Sequence, residues 1–312
     1  MKAWLSLTIA ALLTGCATTP QPSSKLNTFY DYRITDSNHN TMTVEQLAKQ
    51  LENADVVLVG EWHGHPAAHL LQAQLLAALY QQNADLTLSM EQFTRDKQGV
   101  LNDYLAGKIG ESTLTKEANA WPNYTSDYRP LVEFAKQNQL DVLAANAPKS
   151  IVRCIGQQGG NYLNKLPKNE RQWVASKLTL SNDAYKQKFK ASMHHGDEAK
   201  TERQFAAQTA WDDTMAESIV NYLVQHPDHQ IMHTAGRFHV MDGLGTASRI
   251  KARNPKLQVA LVTPVTKNDD VTAGSIDYRV EMMSLPKSYV QKDKMMAAMK
   301  MIQQRNSNLK CY

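Results

Sequence analysis

Cysteine, glycine and clustered basic residues are scarce in this 312-residue chain, and each shortage excludes a class of protein. Three cysteines are too few for a disulfide-rich scaffold, and 14 glycines with 11 prolines are too few for a collagen-like or wholly disordered chain. Lys and Arg exceed Asp and Glu by only 4, without a basic block, so nucleic acid is not an expected partner. A mean hydropathy of −0.47 excludes a polytopic membrane protein. The 42% of apolar residues suits a globular protein with a sizeable core.

The first sixteen residues have the pattern of a bacterial lipoprotein signal. The apolar run over residues 5–13 is too short to span a bilayer, and Leu13-Thr14-Gly15-Cys16 resembles a lipobox. We expect residues 1–15 to be a signal peptide, Cys16 to carry acyl chains such as palmitate, and residues 16–44 to form a tether and lead-in segment. Ala17, where Asp would retain the protein at the inner membrane, indicates the Gram-negative outer membrane, facing the periplasm. An ordinary signal peptide with a chance cysteine is the alternative.

Five short apolar runs alternate with helical stretches along the chain. They cover residues 56–59, 86–90, 142–145, 231–234 and 259–262. This alternation predicts an α/β fold with a mainly parallel β-sheet flanked by helices. The helical stretch between the third and fourth runs, about 149–226, is long for a simple crossover and predicts a helical insertion or lid.

The sequence also predicts the limits of this domain. We expect the α/β domain to cover residues 45–285, with a C-terminal helix and tail over 286–312.

Polar side chains follow four of these predicted strands. The set consists of Glu61, His63, Glu91, Asn146, Arg237 and His239. Because the carboxyl ends of parallel strands meet at one edge, where open α/β sheets bind ligands, the sequence predicts a ligand site at that edge.

The carboxylates and imidazoles of this set suit acid–base chemistry or metal binding. Glu61 and Glu91 are expected at the ends of neighbouring strands, which predicts two carboxylates close together, one of them with a raised pKa. His63 and His239 each stand three residues after a glycine, which permits the sharp turn that points a ring over the sheet edge. Capping of a helix by either Glu, and a purely structural role for either His, are the alternatives.

Other catalytic signatures are weak or absent. His65 and His69 have the i,i+4 spacing of some zinc sites, but Pro66 stands where a metalloprotease helix would carry its Glu. A nucleophile elbow of the Gly-x-Ser-x-Gly type and a phosphate-binding glycine loop are both missing from the sequence. Serine hydrolase and P-loop functions are therefore not expected.

Taken in order, the motifs resemble those of the ChaN-like haem-binding lipoproteins, relatives of the erythromycin-esterase and Tiki superfamily. The matching segments are ADVVLVGEWH (54–63), SMEQF (89–93), DYRPL (127–131), AANAP (144–148), AQTAWDDTMA (207–216) and GRFH (236–239). The similarity covers about residues 45–265.

The resemblance implies a role in haem and iron uptake, with haem b as a non-covalent cofactor. It implies a tyrosine that ligates the iron at a homodimer interface, a His and a Lys that hold the propionates, and an outer-membrane haem receptor as a possible partner. A tyrosinate suits ferric iron, and cationic groups suit carboxylates. The candidate haem residues lie in or beside the insertion, with Tyr185 as the first choice and Tyr222, His194, His195 and Lys186 as the others.

Two further questions stay open at this level. The set of Glu61, His63, Glu91 and His239 is also consistent with a hydrolase, esterase or protease-like, acting with or without a metal. Cys154 and Cys311 either form a disulfide in an oxidising periplasm or are two buried thiols. A scaffold lipoprotein without a ligand is the third functional hypothesis.

Overall fold

The protein is built on one eight-stranded β-sheet. We describe it from a computed structural model that covers residues 25–193, 197–267, 269, 278–307 and 309–312. The strands are β1 (Tyr32–Thr35), β2 (Thr41–Met42), β3 (Val56–Glu61), β4 (Leu86–Thr94), β5 (Val142–Asn146), β6 (Gln230–Gly236), β7 (Val259–Val265) and β8 (Tyr278–Met282). Their order across the sheet is β2-β1-β8-β7-β3-β6-β4-β5.

The sheet is mainly parallel, which confirms the predicted fold class. The strands from β5 across to β8 are parallel to their neighbours, and β1 and β2 extend one edge in the antiparallel sense. The five apolar runs of the sequence correspond to β3, β4, β5, β6 and β7. The structure adds β1 and β2 from the predicted lead-in segment, and β8. These three escaped the sequence analysis because they are short or carry charged residues such as Arg33 and Glu281.

Helices cover both faces of the sheet. They are α1 (Val44–Gln50), α2 (Pro66–Gln82), α3 (Gln98–Leu105), α4 (Glu111–Glu117), α5 (Arg129–Gln137), α6 (Lys149–Gln158), α7 (Lys168–Arg171), α8 (Ala184–Ser192), α9 (Glu198–Gln225), α10 (Arg237–Val240), α11 (Thr246–Arg253) and α12 (Lys292–Ser307). Helices α1 to α5 form one apolar core with the sheet, and α9 and α11 form a second core on the opposite face. Within the described ranges, none of these helices has the length and apolar character needed to cross a membrane.

The long segment between β5 and β6 is helical, and its helices have two different positions. Helix α9 packs on the sheet through Met215, Ile219 and Leu223, so it belongs to the helix layer. Helix α8 packs outside α9 through an aromatic cluster that includes Tyr185 and Phe189. The lid function of this segment stays a prediction.

A disulfide links the end of the described chain to this segment. Cys154 on α6 is bonded to Cys311, and the two Cα atoms are 5.6 Å apart. Of the two alternatives that the sequence left open, the structure shows the pair.

Candidate functional site

Three of the strands deliver polar side chains to the carboxyl edge of the sheet. Glu61 ends β3, Glu91 lies near the end of β4, and His239 follows the end of β6. The sequence predicted that the two carboxylates end neighbouring strands. This prediction is wrong, because β6 lies between β3 and β4. The connection after β5 leads back to the middle of the sheet, where β6 lies between β3 and β4. The order of the strands along the sequence does not reveal this position.

Glu61 is a buried carboxylate surrounded by hydrogen-bond donors. Its Oε1 accepts from the Tyr128 hydroxyl at 2.6 Å and from Gln92 Nε2 at 3.2 Å. Its Oε2 accepts from Gln72 Nε2 at 2.7 Å. Burial alone would raise the pKa of Glu61, but the bond with His63 and the nearby imidazole charges lower it, so Glu61 is not a carboxylate with a raised pKa. Glu61 is therefore an ionised, fixed anchor.

His63 is held by this anchor at the rim of the site. Its Nδ1 lies 2.6 Å from Glu61 Oε1, and 46% of its side chain is exposed. Its ring meets the edge of Trp121 at a centroid distance of 4.8 Å. Burial opposes the charged ring, yet the bond to Glu61 and the charge of Glu91 raise the pKa of His63. The carboxylate thus directs Nδ1 inward and leaves Nε2 facing the site.

A second carboxylate–imidazole pair lies on the α9 side of the edge. His239 Nδ1 is 2.9 Å from Oδ1 of Asp212, a fully buried residue of α9. Burial would lower the pKa of His239, but the charges of Asp212 and Glu91 raise it to about 9. The same charge on His239 outweighs burial and lowers the pKa of Asp212. At neutral pH this pair is an imidazolium and a carboxylate.

Glu91 lies between the two pairs. Its Oε2 accepts from the backbone N–H of Gly236 at 2.6 Å, and its Oε1 is 3.9 Å from His239 Nε2. A Cβ on Gly236 would meet His63 Nε2 at 3.1 Å, so a glycine here lets the imidazole lie close to the β6 backbone. The site consists of three carboxylates and two imidazoles within one edge, a group suited to moving protons or holding a polar ligand.

Two predicted members of the set have other partners. Arg237 Nε donates to the carbonyl of Pro264 at 2.8 Å, and its guanidinium pairs with Asp269 at 3.1 Å. Asn146 Nδ2 donates to the backbone carbonyl of Glu91 at 3.1 Å. Both side chains therefore brace the strand ends around the site.

His65 and His69 do not form a metal pair. His65 caps α2, because its Nδ1 accepts from Ala67 N at 3.2 Å while its Nε2 is 2.8 Å from the carbonyl of Met283. His69 Nε2 accepts from Gly64 N at 3.2 Å. Across the described residues, no group of three or more His, Cys, Asp or Glu side chains is arranged to hold a metal ion.

Of the predicted haem residues, only part of the α8 group lies near the sheet edge. Tyr185 is 0% exposed, and its hydroxyl donates to Asp212 Oδ2 at 2.7 Å. Lys186 is paired with Glu202 at 2.6 Å. Burial and the charge of Asp212 raise the pKa of Tyr185 well above its usual value. Tyr185 is thus part of the Asp212–His239 network.

The other predicted haem residues are elsewhere or outside the described residues. Tyr222 lies at the opposite, amino edge of the sheet, where its hydroxyl donates to Asp141 at 2.6 Å. His194 and His195 fall outside the described residues. The structure does not bring Tyr222 together with Tyr185.

Several residues that complete the site were not predicted as site residues from the sequence. Asp212 and Gln92 stand in motifs that were noted only for their resemblance, and Gln72 was not considered. Asp212 and Gln72 share one signal, because each is a polar residue next to apolar residues on the buried side of its helix. Tyr128 ends a π-helical turn, Tyr124–Tyr128, which the sequence pattern does not reveal.

Comparisons with known proteins identify the family. Residues 47–250 match the model of a family described as "Haem-binding uptake, Tiki superfamily, ChaN". This stretch contains every residue of the two carboxylate–imidazole pairs.

Among solved structures, the chain is similar to ChaN of Campylobacter jejuni, whose structure is described as cofacial heme binding. The two share 17% identity with a TM-score of 0.64, and the similarity covers 81% of this chain and 97% of that one. A mutant of the erythromycin esterase EreC in its open conformation is 12% identical with a TM-score of 0.47, over 86% of each chain.

A curated relative is the chloroplastic protein RETICULATA-RELATED 5 of Arabidopsis thaliana. It is 24% identical over 131 residues, which are 40% of this chain. The chain spans only 17% of the length of that relative.

Proposed function

The chain belongs to the haem-binding uptake family of the Tiki superfamily, ChaN, and on this basis we propose that it binds haem b non-covalently and takes part in haem and iron uptake. The observation that carries the proposal is the family match over residues 47–250, which includes the whole candidate site and the helical segment beside it. The fold shared with the Campylobacter jejuni protein supports it.

The haem lies, in this proposal, beside α8 above the carboxyl edge of the sheet. Helix α8 carries Lys186, Lys188 and Lys190, cations that suit haem propionates. All three are paired with acidic side chains of α9 or of the segment after β6. Propionates would therefore compete with these carboxylates for the lysines.

A tyrosine ligand from α8 needs a rearrangement. In the conformation described here Tyr185 does not fit as an iron ligand, because its hydroxyl is buried, protonated and bonded to Asp212. Ligation by Tyr185 requires α8 to separate from α9 and the hydroxyl to leave Asp212. Mutation of Tyr185 tests this directly.

The proposal places the protein at the Gram-negative outer membrane, facing the periplasm and anchored by lipid at Cys16. Cys16 lies outside the described residues. The support for this placement is the lipobox pattern of the sequence. The disulfide between Cys154 and Cys311 also supports it, since such bonds persist in oxidising compartments. Membrane fractionation of a Cys16→Ala variant tests the lipid anchor. We expect this variant to be absent from the membrane fraction.

Two protein contacts complete the proposal. Haem is bound at a homodimer interface, and an outer-membrane haem receptor supplies it. The Campylobacter jejuni structure is described as cofacial heme binding, and haem groups that face each other would suit a site shared by two copies of the chain.

The test is a haemin titration of the whole chain in detergent, followed by absorbance and by size exclusion. We expect a saturable spectrum of the ferric-tyrosinate type and a change from monomer to dimer. Tyr185→Phe should abolish that spectrum. Tyr222→Phe is the matched control, because Tyr222 lies at the opposite edge of the sheet. A spectrum of free haemin with no change in size would refute haem binding, whereas binding that survives in Tyr185→Phe would refute only the ligand.

A specific observation favours a second candidate function, hydrolysis. The protonated His239 is an available acid, and the Glu61–His63 pair is an available base, with Glu91 between them. Ester and peptide substrates should then be turned over by the wild type and not by Glu91→Gln. If no substrate is cleaved, or if Glu91→Gln cleaves at the wild-type rate, this function is excluded.

A further inference from the structure

A cluster of aromatic and imidazole side chains lies at the amino edge of the sheet, at the opposite end from the candidate site. It contains Tyr222 and His226 at the end of α9, and His229 in the turn before β6. The Tyr222 and His226 rings are stacked with centroids 4.1 Å apart, and the His226 and His229 centroids are 5.2 Å apart. Both imidazoles are half-buried. The proposed haem function does not use this cluster.

A chain of hydrogen bonds sets which ring nitrogen of His229 carries the proton. The Tyr222 hydroxyl donates to Asp141 Oδ2 at 2.6 Å and accepts from the Thr87 hydroxyl at 3.0 Å. Because Thr87 donates its only hydroxyl hydrogen to Tyr222, Thr87 Oγ1 is the acceptor in its bond with His229 Nδ1 at 2.9 Å. A carboxylate oxygen only accepts hydrogen bonds, so the contact with Asp141 fixes the Tyr222 hydroxyl as its donor and sets the direction of the whole chain.

His226 has the same tautomer for a simpler reason. Its Nδ1 lies 3.1 Å from the backbone carbonyl of Tyr222, and a carbonyl only accepts hydrogen bonds. Nδ1 therefore carries the hydrogen in both rings, and each neutral ring keeps its lone pair on Nε2. For neither Nε2 atom does the described part of the chain show a hydrogen-bond partner. Imidazoles that bind metals have this arrangement, with one nitrogen oriented by a protein acceptor and the other free to coordinate.

The spacing of the two rings fits one shared ion. An ion about 2.1 Å from Nε2 lies about 3.2 Å from the ring centroid, and two such rings at a tetrahedral angle have centroids about 5.2 Å apart. The observed separation of the His226 and His229 centroids is 5.2 Å. Imidazole is a preferred ligand of zinc, copper and nickel, whereas magnesium and calcium prefer oxygen.

We propose that His226 and His229 form a two-histidine site for a divalent transition-metal ion at the amino edge of the sheet. The two Nε2 atoms are the protein ligands, and water completes the coordination shell. Thr87 and Tyr222 position His229 and do not touch the metal.

Isothermal titration of the metal-stripped whole chain with zinc chloride tests this site, with magnesium chloride as the cation control. We expect one zinc equivalent that is lost in His226→Ala and in His229→Ala, and no binding of magnesium at this site. His39→Ala is the matched control, because His39 is an exposed histidine in the turn between β1 and β2. Its zinc binding should equal that of the wild type.

Thr87→Val separates a positioning role from a general effect on the fold. Valine keeps the β-branched shape in β4 but removes the acceptor for His229 Nδ1, so we expect zinc affinity to fall by about 10–100-fold. Zinc binding unchanged in both histidine variants would overturn the proposal.

If the histidine variants fail to fold, imidazole NMR of the wild type decides. The proposal requires that the Nε2 resonances of His226 and His229 shift on addition of zinc, and unmoved resonances would overturn it. No haemin is present in these experiments, so their outcome is independent of the proposed haem function.

Discussion

Replacing His239 by glutamine removes a buried charge while keeping a side chain that can donate to Asp212. In the wild type His239 is 6% exposed and its pKa is raised from 6.5 to about 9, against the effect of burial, by the charges of Asp212 and Glu91. A rise of this size corresponds to about 3 kcal/mol, since each pKa unit is worth about 1.36 kcal/mol. Protonation of His239 therefore adds this amount to the free energy of unfolding.

The sign of the effect follows from linkage. Because the pKa of His239 is higher in the folded state, its contribution is fully present below pH 6.5 and is lost as the pH rises to about 9. Between these values the folded wild type holds about one more proton than the unfolded chain, so its free energy of unfolding falls by up to about 1.4 kcal/mol per pH unit relative to His239→Gln.

Urea unfolding followed by circular dichroism from pH 6 to pH 9.5 measures this difference. We expect the wild-type and His239→Gln curves of unfolding free energy against pH to converge by about 3 kcal/mol across the range. His39→Gln is the control for an exposed histidine and should follow the wild type. Parallel wild-type and His239→Gln curves would show that Asp212 and Glu91 do not raise the pKa of His239, and would refute this explanation.

Two further predictions concern stability at neutral pH, measured by urea denaturation. Tyr128→Phe removes the hydroxyl that donates to the buried Glu61 carboxylate and should cost about 1.5–3 kcal/mol. Tyr124→Phe, whose buried hydroxyl has no hydrogen-bond partner among the described residues, should cost nothing; equal losses in both would contradict the assigned role of Tyr128. Replacing Cys154 and Cys311 together by Ser opens a loop of 157 residues and should lower the unfolding free energy by about 2–5 kcal/mol. An unchanged midpoint would mean that the unfolded chain is not constrained by this bond.

The central strands were predictable because each is a short apolar run closed by a polar residue or glycine. Strand β3 is buried at all six positions, and its sequence shows this directly. Strands β1 and β8 pair across more than 240 residues of sequence and carry an ion pair between Arg33 and Glu281. Nothing in their local pattern distinguishes them from loops.

The candidate site was predictable only as a location. Glu61, Glu91 and His239 each follow or end a predicted strand. The sequence therefore placed them at one edge of the sheet, because parallel strands run in the same direction. Their partners come from helices, and Asp212 reaches His239 from the middle of α9. The ionisation states depend on those partners: the sequence predicted a raised pKa for one of the two carboxylates, and the hydrogen bond and charges around Glu61 lower the pKa of that residue.

The strand order has a consequence for the way this protein folds. Strands β3 and β4 follow each other in the chain but are separated by β6, which begins at Gln230. Until that residue has been synthesised, β3 and β4 have no shared neighbour, and β1 waits even longer for β8 at Tyr278. Pairings of such long range are slow to form and leave apolar edges open meanwhile. The central strands β3 and β4 therefore stay without their common neighbour until β6 has been synthesised, and the described sheet is complete only after β8.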